Sequence, residues 1–433
     1  MTRVQSESSS RLVGAISRVR ATASGHAHLL RSALSILIAM IIQALGGFAV
    51  WLTAARTTDA TSVGQAAALM SSAYFVMYLT NFGLVAMVSR FAVRRNAQDR
   101  LRYVLAALIT IGTTMIGAAI YWSLVLRDRP SADAIGGLTL FVLASGALSS
   151  VQILDVRLAA MKRRGLLIGR VSSAAVMKLL LLVLLAPMGS VGVFLAVVIP
   201  DATFGVVAAV FALVASLRDR RTGVRLTDRQ RLTQFAGFAY VSALAMNAPI
   251  VVLPVIVLVN VPADTYGSFF VAWGIMGAIF LVPQAAYYSM LIEGGRGGAD
   301  VGAQFRLAVR LVGAISVLAF AASFFVALLV PVIYGQDFSE TSALLPWFMA
   351  GAVPWCVVVL CMSDARARER PYLSVAIGVA ASVACLPLAL ALTRSHGVAG
   401  TAVAWVAGTA VAGVVSLVLR SRDLAARAST LAP

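Results

Sequence analysis

Two charged residues lie inside long apolar stretches of this sequence. Lys178 is the only charged residue of VMKLLLLVLL (176–185), and Asp201 has similar neighbours in VVIPDATFGVV (197–207). An unpaired charge in hydrocarbon is costly, so such groups usually face a polar interior or a hydrated cavity. Lys178 could attract an anion while Asp201 holds it or exchanges protons. The alternative is a simple ion pair that only offsets its own desolvation.

Amide side chains form a second group of candidate residues. Gln43, Asn81, Asn247 and Gln284 lie deep in four other apolar stretches. Amides in such places often hydrogen-bond between neighbouring helices. Their symmetric distribution along the chain instead favours a shared polar lining of a central cleft. Arg90 is added to these candidates, because it ends the second apolar stretch beside the predicted cleft.

No familiar catalytic motif accompanies these residues. The sequence contains no GxxxxGK[ST], HExxH or GxSxG pattern, and its 3 histidines lie outside the apolar stretches. Cys356, Cys361 and Cys385 lie within apolar stretches, at spacings that match neither a metal site nor a disulfide framework. The sequence therefore predicts a protein that is not an enzyme and binds no metal or cofactor.

The elements that position these residues are transmembrane helices. The chain of 433 residues is 60% hydrophobic and 12% charged, whereas soluble proteins are about 45–50% apolar. The sequence predicts an all-α integral membrane protein with twelve transmembrane helices, since strands with open edges cannot span lipid. The predicted spans are 32–54, 63–89, 103–126, 135–156, 166–187, 190–217, 235–259, 265–290, 307–333, 340–363, 371–393 and 397–419.

The basic residues predict the orientation. The formal net charge is +18, but the arginines occur in short clusters between spans, which argues against a nucleic-acid partner. The connections alternate between arginine-rich and arginine-poor, so the positive-inside rule places both termini in the cytoplasm and the protein in the cytoplasmic membrane. The inner clusters are expected to contact anionic lipids. The outer connections hold only Arg56, Arg127, Arg129 and Arg394.

The sequence also predicts an internal repeat. When it is shifted by 203 residues, the spans of the first half fall close to those of the second, and ATSVG (60–64) aligns with ADTYG (263–267). Six helices in each half predict two lobes related by a parallel pseudo-two-fold axis along the membrane normal. The predicted parts are a disordered basic cytoplasmic tail (1–31), an N-lobe (32–217), a cytoplasmic loop (218–234), a C-lobe (235–420) and a cytoplasmic tail (421–433).

Three stretches carry a family resemblance. They are NFGL with the nearby SRF (81–91), VPADTYGSFFVAWGIMGAIFLVPQAAYYSMLIEGG (261–295) and YGQDFSETSALLPWFMAGAVPW (334–355). The chain resembles the polysaccharide-biosynthesis flippases of the multidrug/oligosaccharidyl-lipid/polysaccharide exporter (MOP) superfamily. The resemblance implies alternating access, with the first, second, seventh and eighth helices lining the cleft.

The resemblance also implies a substrate and partners. The substrate would be a polyprenyl-diphosphate-linked oligosaccharide or polysaccharide precursor, and a glycan polymerase or glycosyltransferases of the same pathway would be partners. Arg90 at the inner rim would gather the diphosphate, and Lys178 is the only cation predicted near the membrane centre. That cation lies on the fifth helix, outside the four helices that line the cleft in the family.

Two other functions fit the same residues. A multidrug antiporter of the same superfamily would use Asp201 as its proton or sodium site. A non-transporting scaffold for cell-wall glycan assembly is the third possibility. A membrane glycan polymerase or glycosyltransferase is disfavoured, because such enzymes generally need a sizeable outer loop and every predicted outer loop is short.

Overall fold

The computed structural model describes residues 38–91, 97–129, 137–161, 163–218, 229–283, 301–368 and 370–431. Within these ranges every regular element is helical, and 10 helices are long and apolar enough to cross a membrane. One of them, Pro371–Arg427, holds two spans, because Gly397 has a non-helical backbone with φ 59°. The helix Ala60–Thr80 adds a further, less apolar span. The predicted all-α fold with twelve transmembrane helices is confirmed.

The twelve helices are numbered in chain order. The N-lobe helices are α1 Ile38–Thr57, α2 Ala60–Thr80 with its continuation Leu84–Phe91, α3 Ala97–Tyr121 with a π-helical end Trp122–Leu126, α4 Leu138–Ala160, α5 Arg164–Leu185 and α6 Ser190–Arg218. The C-lobe helices are α7 Arg229–Asn260, α8 Ala263–Gly277 with a 3-10 turn Ala278–Phe280, α9 Val301–Tyr334, α10 Ser339–Ala367, α11 371–396 and α12 397–431. The predicted tail 1–31 lies outside the described residues, as does 219–228 of the predicted loop 218–234.

The outer surface of the helices is apolar. Leu180 and Leu184 on α5 are 67% and 71% exposed, and Leu328 on α9 is 74% exposed. Exposed leucines at this density are typical of a surface that contacts lipid rather than water. The three cysteines are buried as thiols, as their apolar neighbours predicted.

The two lobes meet at the ends of α2 and α8 that the arginine pattern predicts to be outside. A Cβ on Gly64 would lie 1.7 Å from the Ala263 carbonyl oxygen, and a Cβ on Gly267 would lie 2.9 Å from that of Ala60. These positions are partners in the 203-residue repeat. Equivalent residues of the two repeats therefore pack against each other about a pseudo-two-fold axis.

Two arginines close the same end of the molecule. Arg56 lies in the last turn of α1, and its Nε donates to the Ile333 carbonyl at the end of α9 over 2.6 Å. Arg129 follows α3, and its Nη2 donates to the Val259 carbonyl at the end of α7 over 2.7 Å. The repeat pairs position 56 with 259 and position 129 with 332. We call these two pseudo-symmetric arginine contacts the outer clasp.

The second predicted span, 63–89, is interrupted. Helix α2 ends before Asn81, and Phe82 and Gly83 have φ values of 44° and 74°. Asn81 is 5% exposed and accepts the Gly83 amide proton at 2.9 Å, so its side chain stabilises the break. A Cβ on Gly83 would lie 2.0 Å from the Ala236 carbonyl oxygen of α7, which shows how closely the broken helix approaches the other lobe.

Candidate functional site

Four charged side chains from three helices meet inside the N-lobe. Asp201 on α6 accepts hydrogen bonds from Lys178 Nζ at 2.6 Å and from Arg170 Nη1 at 3.0 Å, both on α5. The other terminal nitrogen of Arg170, Nη2, donates to Asp155 Oδ2 on α4. We call these four residues the charged cluster. Asp201 and Arg170 each bridge two partners, and the formal charges balance.

Small residues bring the helices of the charged cluster together. On α6, a Cβ at Gly205 would lie 2.0 Å from Ser150 Oγ of α4, so these two helices touch about one turn beyond Asp201. On α1, a Cβ at Gly46 would lie 2.7 Å from the Ala175 Cβ of α5. Close backbone approach through small residues is the usual way that membrane helices pack.

The charged cluster is largely shielded from solvent. The side chains of Arg170 and Asp201 are 8% and 11% exposed, and those of Lys178 and Asp155 are 18% and 27% exposed. Oδ1 of Asp155 is buried without a hydrogen-bond partner among the described residues. Most buried polar atoms in proteins have a hydrogen-bond partner, so this oxygen is an open acceptor within the charged cluster.

A pocket of about 150 Å³ opens beside the charged cluster. Its lining includes Gln43 of α1, Tyr74 of α2 and Phe270 of α8, together with Arg170, Lys178 and Asp201. We call it the N-lobe pocket. It has room for a few water molecules, an ion or a small polar group, and Phe270 is its contact with the C-lobe.

A larger cavity lies between the lobes, on the inner side of the Gly64–Gly267 contact. Its volume is about 410 Å³, and it adjoins a second one of about 300 Å³ that shares Tyr78, Asn247 and Ile250 with it. We call the larger one the central cavity. Its lining among the described residues is Met40, Tyr78, Met246, Asn247, Ile250, Gly277, Phe280, Leu281, Trp355, Val359, Met362, Ser363 and Arg366.

The structure brings some of the predicted site residues together. Lys178, Asp201 and Gln43 line the N-lobe pocket. The ion pair therefore lies within one lobe and also borders a pocket. Asn247 lines the central cavity, although its Nδ2 donates to the Ala243 carbonyl of its own helix at 2.9 Å.

Three other predicted site residues are placed differently or not described. Asn81 supports the α2 break and lines neither cavity between the lobes nor the N-lobe pocket. The backbone of Arg90 lies in the α2 continuation Leu84–Phe91, and its side chain is not described. Gln284 lies outside the described residues. Gln43 and Asn247 line different cavities, so the shared amide lining of one cleft stays a prediction.

Sequence reasoning missed three charged residues, of which Arg170 and Arg366 line these cavities and Asp155 joins the charged cluster. The prediction that Lys178 is the only cation near the membrane centre is wrong, because Arg170 reaches Asp201 from two turns nearer the predicted inner end of α5. Asp155 was not singled out, although a carboxylate inside a predicted span was a usable signal. Arg366 was assigned to an inner cluster, but its side chain lines the central cavity.

Solved structures share this arrangement of helices. An inward-facing multidrug-resistance MATE family transporter of the MOP superfamily matches with a TM-score of 0.63 at 16% identity, over 92% of this chain and 100% of that one. The chain has the MATE fold. The MATE multidrug transporter DinF-BH, solved with a bound ligand, gives a TM-score of 0.64 at 16% identity, over 92% of this chain and 95% of that one.

A third similar structure differs in its pocket. It is a MOP superfamily transporter from Pyrococcus furiosus with a binding pocket of reverse polarity, and it gives a TM-score of 0.56 at 12% identity over 93% of this chain and 96% of that one. No protein-family model and no curated protein matches the chain. At 12–16% identity, the likeness to these structures shows the fold of this chain. It does not show the polysaccharide flippase family that the sequence resembles.

The lobes are in contact at both ends of the molecule. The outer clasp and the Gly64–Gly267 contact join them at the predicted outer end. Near the predicted inner end, Tyr240 of α7 donates a hydrogen bond to the Leu79 carbonyl of α2 at 2.6 Å, next to the Gly83–Ala236 contact. The central cavity lies on the inner side of the Gly64–Gly267 contact, and its lining includes Tyr78 and Asn247.

Proposed function

We propose that this protein is an ion-coupled exporter of amphipathic molecules that works by alternating access, like a multidrug antiporter. The observation that carries the proposal is the charged cluster beside the N-lobe pocket, with Asp201 held by Lys178 at 2.6 Å and by Arg170 at 3.0 Å. Ionisable residues inside membrane spans commonly mark proton or ion pathways. The MATE fold and the drug-transporting neighbours support the same class.

The chemistry of coupling follows from the charges. A proton on Asp201 removes the negative charge that holds two cations, so Lys178 and Arg170 lose their common acceptor. A sodium ion would compete with the same two cations for the carboxylate oxygens. Helices α5 and α6 are joined by these contacts, and their relative position therefore depends on whether the ion is bound. An ion bound more tightly in one lobe arrangement shifts the equilibrium toward that arrangement.

Asp201→Asn tests this proposal. The asparagine keeps the size of the side chain but cannot take up a proton or bind sodium as a carboxylate does. Purified protein in vesicles is expected to lose dye transport driven by a pH or sodium gradient. In cells, the drug resistance conferred by the parent should fall to the level of the empty vector.

Asp364→Asn is a matched control. Asp364 on α10 is 1% exposed and binds Arg368 at 3.0 Å and Arg420 at 2.8 Å, so it is also a buried carboxylate with two cationic partners. It lines neither the N-lobe pocket nor the central cavity. Gradient-driven transport that survives in Asp201→Asn, or that is lost equally in Asp364→Asn, would contradict a coupling role for Asp201.

A flippase for a lipid-linked glycan is the second candidate. The observation that favours it is the presence of cations at both cavities, Lys178 at the N-lobe pocket and Arg366 at the central cavity, where a diphosphate could bind. A glycan polymerase or glycosyltransferases would then be partners in the cytoplasmic membrane. If the protein is a flippase, deletion of its gene should cause an untranslocated lipid-linked sugar to accumulate. If that sugar does not accumulate and drug resistance is lost, the antiporter is favoured.

A further inference from the structure

The central cavity has a lining suited to a flat apolar body. Trp355 of α10 and Phe280 of α8 supply aromatic faces, and Met40, Met246 and Met362 supply flexible, polarisable side chains. Aromatic and methionine side chains pack well against ligands of varied shape. The volumes of about 410 Å³ and 300 Å³ for this cavity and its neighbour lie in the range of sites for drug-sized molecules.

One charged side chain enters this apolar lining. Arg366 lies in the last turn of α10, and its Nη2 donates to Ser242 Oγ of α7 at 2.9 Å. No carboxylate pairs with it among the residues that the structure describes, whereas its neighbour Arg368 is paired with Asp364 at 3.0 Å. The described lining of the central cavity contains no acidic residue.

The charges at the N-lobe pocket cancel. In the charged cluster, Arg170 and Lys178 are balanced by Asp155 and Asp201. Among the described residues that line the central cavity, Arg366 is the one charged side chain. A guanidinium group binds carboxylates and phosphates through two parallel hydrogen bonds, and it does so more strongly where water is excluded.

We infer that the central cavity binds an amphipathic organic anion, with its apolar body against Trp355 and the methionines and its acidic group on Arg366. This inference deepens the proposed exporter function by naming a substrate class. Arg366 attracts anions and disfavours lipophilic cations, whereas a pocket lined by carboxylates would attract cations. The acidic group could belong to a soluble organic anion or to the phosphate of a lipid carrier.

Two xanthene dyes of opposite charge provide the test. Fluorescein is an anion and rhodamine 6G is a cation of similar ring shape, and fluorescence anisotropy measures their binding to the purified full chain. The parent protein is expected to bind fluorescein more tightly than rhodamine 6G. Arg366→Gln should weaken fluorescein binding by about tenfold or more, as removal of a charged hydrogen-bond donor commonly does, and should leave rhodamine 6G binding unchanged or stronger.

Two further variants serve as controls. Arg366→Lys keeps the charge without the bidentate geometry and should give an intermediate affinity for fluorescein. Arg370→Gln removes the same charge from an exposed residue that does not line the central cavity, and it should bind both dyes as the parent does. Equal fluorescein affinity in Arg366→Gln and the parent, or stronger binding of rhodamine 6G by the parent, would overturn the inference.

A competition experiment separates the two sources of the anion. Farnesyl diphosphate that displaces fluorescein from the parent but not from Arg366→Gln would identify a lipid diphosphate as the ligand. Failure to displace it, with fluorescein binding still dependent on Arg366, would identify a soluble organic anion. Dye binding needs no ion gradient. If the protein binds anions but shows no gradient-driven transport, the proposed coupling is rejected and this inference stands. If it binds cations and shows coupled transport, this inference is rejected and the proposed coupling stands.

Discussion

Each charge of the cluster depends on its neighbours at the scale of single residues. Arg170 holds Asp155 and Asp201 at once, and its own side chain is 8% exposed. Removal of a shared partner from a buried ion network leaves an uncompensated charge, which costs about 3–5 kcal/mol. The contribution of the charged cluster to the free energy of unfolding is therefore smaller than its number of contacts suggests. Loss of any one member is nevertheless destabilising.

Arg170→Met is predicted to be strongly destabilising. Both carboxylates lose a partner, so the free energy of unfolding in detergent should fall by about 3–5 kcal/mol. The double variant Arg170→Met, Asp155→Asn should recover part of this loss. Arg427→Met is the control, because the Arg427–Asp423 pair has side chains 30% and 23% exposed and such pairs contribute about 1 kcal/mol or less. Similar unfolding midpoints for the two single variants would contradict the prediction.

The sequence was sufficient to predict one pair of the charged cluster. Lys178 and Asp201 lie at similar distances from the turn between α5 and α6, so equal depth placed them together. Arg170 lies eight residues before Lys178, about 12 Å nearer the inner end of an ideal helix. An arginine there is usually a topology signal. Its contact with Asp201 depends on the reach of the side chain and on helix packing, and neither is visible in spacing.

At the scale of helices, the break in α2 is the feature that hydropathy could not reveal. The apolar pattern continues through Asn81–Gly83, so the sequence predicted one uninterrupted span over 63–89. Gly83 has φ 74° and faces the Ala236 carbonyl of α7. Glycine tolerates this conformation, whereas most other residues lose about 1–2 kcal/mol in it. Both the backbone angle and the close interlobe contact therefore require this residue.

Gly83→Ala is predicted to weaken the α2–α7 contact. The new Cβ would lie 2.0 Å from the Ala236 oxygen, so the two helices must move apart. The unfolding midpoint and the transport rate should both fall. Gly112→Ala on α3 is the control, since a Cβ added there would meet nothing within 4 Å and alanine favours a helix by up to about 1 kcal/mol. A Gly83→Ala protein that unfolds and transports like Gly112→Ala would argue against the contact.

At the scale of the whole molecule, the repeat predicts how the outer end opens. Arg56 binds carbonyls at the end of α9, and Arg129 binds carbonyls at the end of α7. A cation at a helix C-terminus contributes about 1 kcal/mol, which changes a conformational equilibrium by about fivefold. Because the repeat relates the two contacts, they should contribute similarly, and both must break before the lobes can separate at this end.

Each of the variants Arg56→Gln and Arg129→Gln is therefore predicted to raise the outward-open population by about fivefold. If the lobes move as rigid bodies, the double variant should raise it by about 25-fold. A cysteine at Ala60 reports this opening, because Ala60 is 9% exposed and packs against Gly267. The variant Ala60→Cys is made in a chain in which Cys356, Cys361 and Cys385 are replaced. An impermeant maleimide added from outside should label it in proportion to the open population. Arg127→Gln removes a neighbouring exposed charge without a clasp contact and should label as slowly as the parent. Unchanged labelling in the double variant would mean that the Gly64–Gly267 contact alone holds the outer end closed.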